Sequence, residues 1–324
     1  MYKITIKESC GFIRDGKILI RTPCEITVNN TNDIKFQLRL LGVTNYKAVN
    51  LLKSNNKVNL KSPIKLGCVK DVIDIRDYKI KTVSLSDVNL QIPSKVSYMN
   101  EMSPVKNQKQ LGSCVGFAVA AMKEWQEQKE HNKELKEGKK YKRKEKYYNL
   151  SEQWIYYKSK EIDPWPNEEG TSIRCAMRQL SKYGVPPEKA WVYNDRYKGK
   201  PQFWATMISK WALGGSYYRI SSVEELEESL YKFGPVVIGI YCFREIFSVT
   251  SNGVVHYPRN TNEIFGGHAI CVTGFDRKEK IFTFKNSWGP DWGHYGYGYI
   301  HYDYINNFML DAWVMLDVNV KSVG

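Results

Sequence analysis

The stretch "KNQKQLGSCVGFA", residues 106–118, carries a cysteine, Cys114, where an apolar periodicity begins. Phe117, Ala118, Ala121, Met122 and Trp125 recur at helical spacing, which predicts a helix opening just after Ser113. A thiol there meets unpaired helix N–H groups, and these favour the thiolate. Gly112 and Gly116 on either side leave the backbone open to an approaching chain. Taken alone, Cys114 reads as one more inert buried thiol.

A nucleophilic thiol also needs a base and an orienting group. Of the five histidines, His131, His256, His268, His294 and His301, only His268 starts an apolar strand behind two glycines, in "FGGHAICVTGF". The next strand, in "FTFKNSWG", ends near Asn286. A turn around Lys278 would fold the two strands into a hairpin and bring His268 and Asn286 to its open end. Asn286 can then accept a hydrogen bond from one imidazole nitrogen and leave the other to face the thiol.

Further out, the chain has 324 residues, 42% of them hydrophobic and 13% aromatic, enough for one large and one small domain. No apolar run approaches 18 residues, so a membrane span is not expected. The start, "MYKITIKESCGF", alternates in polarity without an apolar leader, and an intracellular or virion-associated protein is expected. The formal net charge is +14. A lysine-rich solvated surface explains it better than a nucleic-acid site, beyond nonspecific attraction. Seven cysteines, Cys10, Cys24, Cys68, Cys114, Cys175, Cys242 and Cys271, stand at irregular spacing without a C-x-x-C pair, which fits free thiols in a reducing compartment.

Residues 1 to about 45 read as short strands. Asp15-Gly16 sits between two apolar runs as a hairpin turn. "CEITV" and "IKFQLRLL" follow, and from Asn45 to Gly67 the pattern weakens. The expected division is a β-rich module at 1–68, an extended connection at 69–91 and a main domain at 92–324. In the main domain, "SIRCAMRQLSKYG" predicts a helix stopped by Gly184. "SVEELEESLYKFG" predicts another, opened by Ser222 with Glu225 in capping-box spacing. The charged run at 129–148 reads as a solvated helix extension or surface loop. After Gly234 come strand-like runs, "PVVIGIYCF", "HAICVTGFD", "IFTFKNSW", "YGYIHY" and "AWVML". Helices first and a mostly antiparallel sheet after them make an α+β domain.

Three ordered segments, "PVKNQKQLGSCVGFA", "GGHAICVTGF" and "FKNSWGPDWGHYGYGYI", resemble the signature segments of papain-like cysteine peptidases. "IPSKVSY", "LSEQW", "EEGTSIRCAMRQLSKYGV" and "FGPVVIGI" add to the similarity, which covers roughly residues 90 to 318. The separation of Cys114 from His268 is slightly longer than the family's roughly 130–150 residues, and the run at 129–148 is the natural insertion.

The resemblance implies a two-lobed fold with a cleft and an endopeptidase acting on protein or peptide substrates, without metal or cofactor. It implies Cys114 as nucleophile in a thiolate–imidazolium pair with His268. Asn286 would orient the ring, and Gln108 would supply a side-chain N–H to the oxyanion hole. Trp288 would shield the His268–Asn286 bond, Gly170 would pair with substrate backbone, and Gly267 and Ala269 would line the cleft. Leu111 replaces a cysteine that many members use in a disulfide, Val115 replaces a tryptophan, and Gly267 replaces an Asp or Asn; these departures fit the bacterial, archaeal or viral side of the family. The family's common helical propeptide is not seen in residues 1–68, which leaves a docking module or a different propeptide. In the latter case residues 69–91 would lie across the cleft. The alternative is a papain-like domain serving mainly as a structural or docking part of a larger assembly, such as a viral particle.

Overall fold

The computed structural model describes the backbone of five strands within residues 2–53. It describes residues 64–317 with side chains, apart from 73, 81–90, 139–146, 197–198 and the side chains of Trp211 and Asp317. Contacts divide the chain into Met1–Ser62 and Pro63–Gly324.

In the first unit, β1 (Tyr2–Ile6) pairs antiparallel with β4 (Cys24–Val28) and with β5 (Val49–Lys53). β2 (Cys10–Arg14) and β3 (Lys17–Arg21) pair antiparallel, with Arg14 opposite Lys17. The turn expected at Asp15-Gly16 lies outside the described residues. β5 falls in a stretch without clear alternation; its pairing along the whole of β1 supplies what local pattern does not. The strand expected in "IKFQLRLL" lies outside the described residues.

The second unit begins its sheet with β6 (Lys95–Ser97) and then turns helical. The helices are α1 (Cys114–Lys136), α2 (Glu152–Lys160) and α3 (Ile173–Tyr183). The short α4 (Phe203–Met207) precedes β7 (Gly214–Ile220), α5 (Val223–Phe233) and β8 (Val236–Cys242). Then come α6 (Arg244–Phe247), β9 (Val254–Val255), β10 (Gly266–Asp276), β11 (Ile281–Lys285) and β12 (Tyr297–His301), with α7 (Tyr302–Phe308) and β13 (Met309–Asp317) last. The sheet order is β7-β13-β8-β10-β11-β12-β9, with β6 also on β10; its pairs are antiparallel except β12 with β9. This is the expected α+β architecture.

Local chemistry explains the helix limits. Ser172 Oγ accepts from Cys175 N–H at 3.3 Å and Ser222 Oγ from Glu225 N–H at 3.2 Å, so each satisfies an orphan donor of its helix. Gly184 and Gly234 end the same helices at φ 69° and 92°, where a side chain would strain the backbone. Glu225 reaches back to Ser221 N–H at 2.7 Å, one residue before the expected partner. α1 continues through the first part of the charged run, with Lys123 and Glu127 paired one turn apart. Ile173, Ala176, Met177 and Leu180 are all buried, as the stripe on α3 requires. On the sheet side, Ile238, Ile240, Ile270, Val272, Phe282 and Phe284 are fully buried in the core. No helix among the described residues is long and apolar enough to cross a membrane.

Candidate active site

α1 presents Cys114 at its first position. Ser113, just before it, does not cap the helix; its hydroxyl is 2.7 Å from the Tyr193 hydroxyl. The first-turn N–H groups are therefore left facing the thiol, as a nucleophilic cysteine requires. Gly116 does not face the cleft. A Cβ there would stand 2.7 Å from Glu152 O, so its role is the close approach of α1 to α2.

β10 and β11 form the expected hairpin, which brings His268 and Asn286 together. His268 Nε2 donates to Asn286 Oδ1 at 2.8 Å. The same oxygen accepts from Ser287 N–H at 2.8 Å, which fixes the amide's orientation. A ring that donates from Nε2 leaves Nδ1 unprotonated, and His268 Nδ1 has no hydrogen-bond partner. The neighbouring Ala269 N–H points at Cys114 Sγ, 3.4 Å away. Trp288 lies over the imidazole with ring centroids 4.5 Å apart and planes at 28°, and so keeps water from one face. Gln108 is fully buried; its Oε1 accepts from Ser287 Oγ at 2.6 Å, which turns Nε2 outward.

That amide nitrogen meets the chain's own backbone. Gln108 Nε2 donates to Lys65 O and to Leu111 O, each at 3.0 Å. The segment then crosses the site in extended form. Thr171 N–H donates to Gly67 O at 2.9 Å and Val69 N–H to Thr171 O at 3.0 Å, a parallel pairing beside Gly170. Cys68 N–H donates to Gly267 O at 2.9 Å. The fit leaves no room for side chains: a Cβ on Gly67 would fall 1.9 Å from Gly112 O, and one on Gly170 would fall 2.7 Å from Gly67 O. Cys68 and Val69 are fully buried, and the Cys68 thiol approaches Gly239, where an added methyl would come within 2.8 Å. Residues 65–71 thus cover Cys114. The sequence-based limit at 68 falls inside this segment, because its backbone pairs with both walls of the cleft.

Residues 92–316 match the family profile described as papain family cysteine protease, more than half of the chain. The chain belongs to the papain family. An uncharacterized peptidase C1-like protein of Acanthamoeba polyphaga mimivirus is 31% identical over 223 residues, which are 64% of this chain and 68% of that one. Cathepsin K of Mus musculus is 25% identical, over 68% of this chain and 64% of its own. Among solved structures, xylellain, a cysteine protease from Xylella fastidiosa, superposes with a TM-score of 0.67 at 25% identity and covers 83% of this chain and 100% of its own. Digestive procathepsin L 3 of Tenebrio molitor shares the fold at a TM-score of 0.55 and 22% identity, covering 71% of this chain and 72% of its own. Fold and family make this cysteine peptidase a hydrolase.

In this papain-family chain the seated segment disfavours the charged form of both Cys114 and His268. Burial pushes the Cys114 thiol up to about 11, against the pull of the Ala269 and Gly67 N–H groups, and pushes His268 down to about 4. The cause in each case is burial, which removes the water that would stabilise either charge.

The sequence-expected residues fall into three groups. His268 and Asn286 are bonded to each other, beside Ala269 whose N–H faces the Cys114 thiol, and Gln108 is bonded to Ser287 and Lys65. Gly170, Gly267 and Ala269 line the path of the segment or touch the thiol. Trp288 faces His268, Phe247 and Trp292. Two features escaped sequence reading. Behind the site, half-buried Lys106 bridges Glu124 and Glu152, and Lys285 Nζ donates to Ser103 O at 2.8 Å. At the far end of the covering segment, Asp71 is buried among Arg174, Arg219, Asp311 and Trp313. Neither set has a local motif, since its members stand on separate elements.

Proposed function

We propose that the enzyme cleaves peptide bonds through a thioester on Cys114 and that residues 64–80 hold it latent until they move away. With the segment displaced, water returns and His268 Nδ1 takes the thiol proton. The thiolate attacks the scissile carbonyl carbon, and the oxygen gains negative charge opposite Gln108 Nε2. Collapse breaks the C–N bond, and His268 gives its proton to the leaving amine. Water, deprotonated by His268, then releases the acid and restores the thiol. Asn286 keeps the ring in the tautomer this cycle needs.

The observation that carries this reading is Gln108. Its buried, oriented amide already holds a main-chain carbonyl, that of Lys65, as it would hold a substrate's. The division into a β-rich module, a connection and a catalytic domain is part of the proposal, except that residues 64–68 of the expected 1–68 module belong to the covering segment.

Gly67→Leu tests the reading, because its side chain cannot fit against Gly112. Iodoacetamide should label Cys114 at least tenfold faster in that variant than in the parent chain. Peptide turnover should rise with it and vanish on adding Cys114→Ala. Equal labelling of Cys114 and the buried Cys242, or turnover that survives Cys114→Ala, would sink the proposal.

A further inference from the structure

Asp71 is an acidic side chain seated in a site made for it. Its Oδ2 accepts from Trp313 Nε1–H at 3.0 Å and from Arg174 N–H at 3.2 Å, and the Ser172 hydroxyl also bonds the carboxylate. Arg174 N–H belongs to the first turn of α3, whose dipole favours an anion. The indole of Trp313 is fully buried and points its donor at the same oxygen, an observation independent of the helix. Asp71 N–H donates to Asp311 Oδ2 at 2.6 Å, so the backbone is held along with the side chain.

The rest of the segment repeats the charge pattern. Arg174 Nη2 is 2.9 Å from Asp74 Oδ2, and Arg219 Nη2 is 3.0 Å from Asp77 Oδ2. All three acids belong to the covering segment, and both arginines to the cleft wall. When the segment leaves, Arg219 keeps Asp311, and Arg174 loses Asp74 and Asp77. The cluster turns from acid-rich to cationic, and the donors that held Asp71 lose their acceptor.

The wall has bonds of its own besides those of Arg219 N–H to Tyr78 O and of Ile80 N–H to Arg219 O. Arg219 on β7 and Trp313 on β13 are cross-strand partners, and the guanidinium carbon lies 4.4 Å from the indole centroid. Arg219 Nη1 is also bonded to Asp311. Donors fixed on paired strands and a helix stay in place for a second ligand.

On the peptidase reading above, we propose that Ser172, Arg174, Arg219 and Trp313 form a carboxylate-recognising subsite that takes an acidic side chain of the peptide substrate once the segment has left. Its distance from the nucleophile follows from the segment itself. Gly67 lies against Cys114 and Asp71 is four residues further on, about 13 Å of extended chain. A peptide should therefore carry its acid three or four residues from the scissile bond.

The test uses the full chain carrying Gly67→Leu and Asp71→Ala, so that neither anchor of the segment remains. Cleavage of a peptide library should favour Asp or Glu over Asn or Gln at that distance by about tenfold in kcat/KM, a typical size for a charge-assisted contact. Adding Arg219→Gln should bring the acid-to-amide ratio close to one, and Arg219→Lys should recover part of it. Arg174→Gln provides the same reading from a more exposed position. Calorimetry on the same chain with Cys114→Ser gives a measure free of turnover. The peptide acetyl-Val-Lys-Asp-Val-amide should bind about tenfold tighter than its Asn analogue. Equal binding of the two, or binding of neither, overturns the subsite. Preferential binding without any turnover upholds the subsite and overturns the peptidase reading instead.

Discussion

Gln108 has two tasks that pull on the same atom. Its amide nitrogen holds Lys65 O in the covered state and would face the developing oxyanion in the open one. Gln108→Ala should therefore loosen the segment and yet slow catalysis. In the Gly67→Leu background, where the first effect is already spent, kcat should fall about 10²–10³-fold, the usual result of losing one oxyanion donor. Stopped-flow acylation kinetics would check this; an unchanged acylation rate would remove Gln108 from the chemistry. The residues of this site were legible because each sits in a short run with its own backbone environment. Cys114 has its helix start, His268 its glycine-flanked strand, and Asn286 the end of the returning strand. Arg219, Trp313 and Asp71 were not legible. Nothing near Asp71 signals that its partner Trp313 lies 242 positions away along the chain.

At the scale of elements, the covering segment joins an extended backbone to a buried acid pair. Asp71 and Asp311 are both pushed up by burial, Asp311 to about 7 with the Asp71 charge adding to it. The groups facing the pair are Arg219 from β7, Arg174 from α3, Tyr241 from β8 and Cys68 from the segment itself. When the segment leaves, Asp311 regains water and loses the Asp71 charge, so it falls back toward the ordinary carboxylate value of about 4. Seating therefore takes up protons. Its contribution is complete below that ordinary value and is lost as pH rises through about 7. Cys114 labelling should rise between pH 6 and 8.5 by more than thiol ionisation accounts for. Asp71→Asn, which cannot titrate, should lack this extra rise; identical profiles for the two chains would count against the linkage. The sequence predicts an extended stretch over the cleft at 69–91 if residues 1–68 are a propeptide. The residues that touch Gln108, Gly112 and Gly170 begin at Lys65, in a stretch with no periodicity to mark it, because main-chain hydrogen bonds hold it in place.

For the molecule as a whole, the contact division between Ser62 and Pro63 argues for two cooperative units. Calorimetry should resolve two transitions. A reversible peptide aldehyde, binding the open catalytic unit of Gly67→Leu, should raise one transition and leave the other in place. A shared shift of both would show that the units unfold together. The α+β order of the larger unit was readable from its capping serines, stop glycines and apolar runs. The β1–β5 pairing was not, because strand partners are chosen by contacts that a local pattern does not encode.

The segment that fills the cleft belongs to the same polypeptide as the cleft. Its effective concentration there is on the order of millimolar for a short tether, however dilute the enzyme. Latency in the intact chain is therefore independent of dilution. A single scission between Ile80 and Ile92 would turn the covering peptide into an ordinary ligand that mass action removes. One cut would thus make the resting state sensitive to how much protein surrounds it.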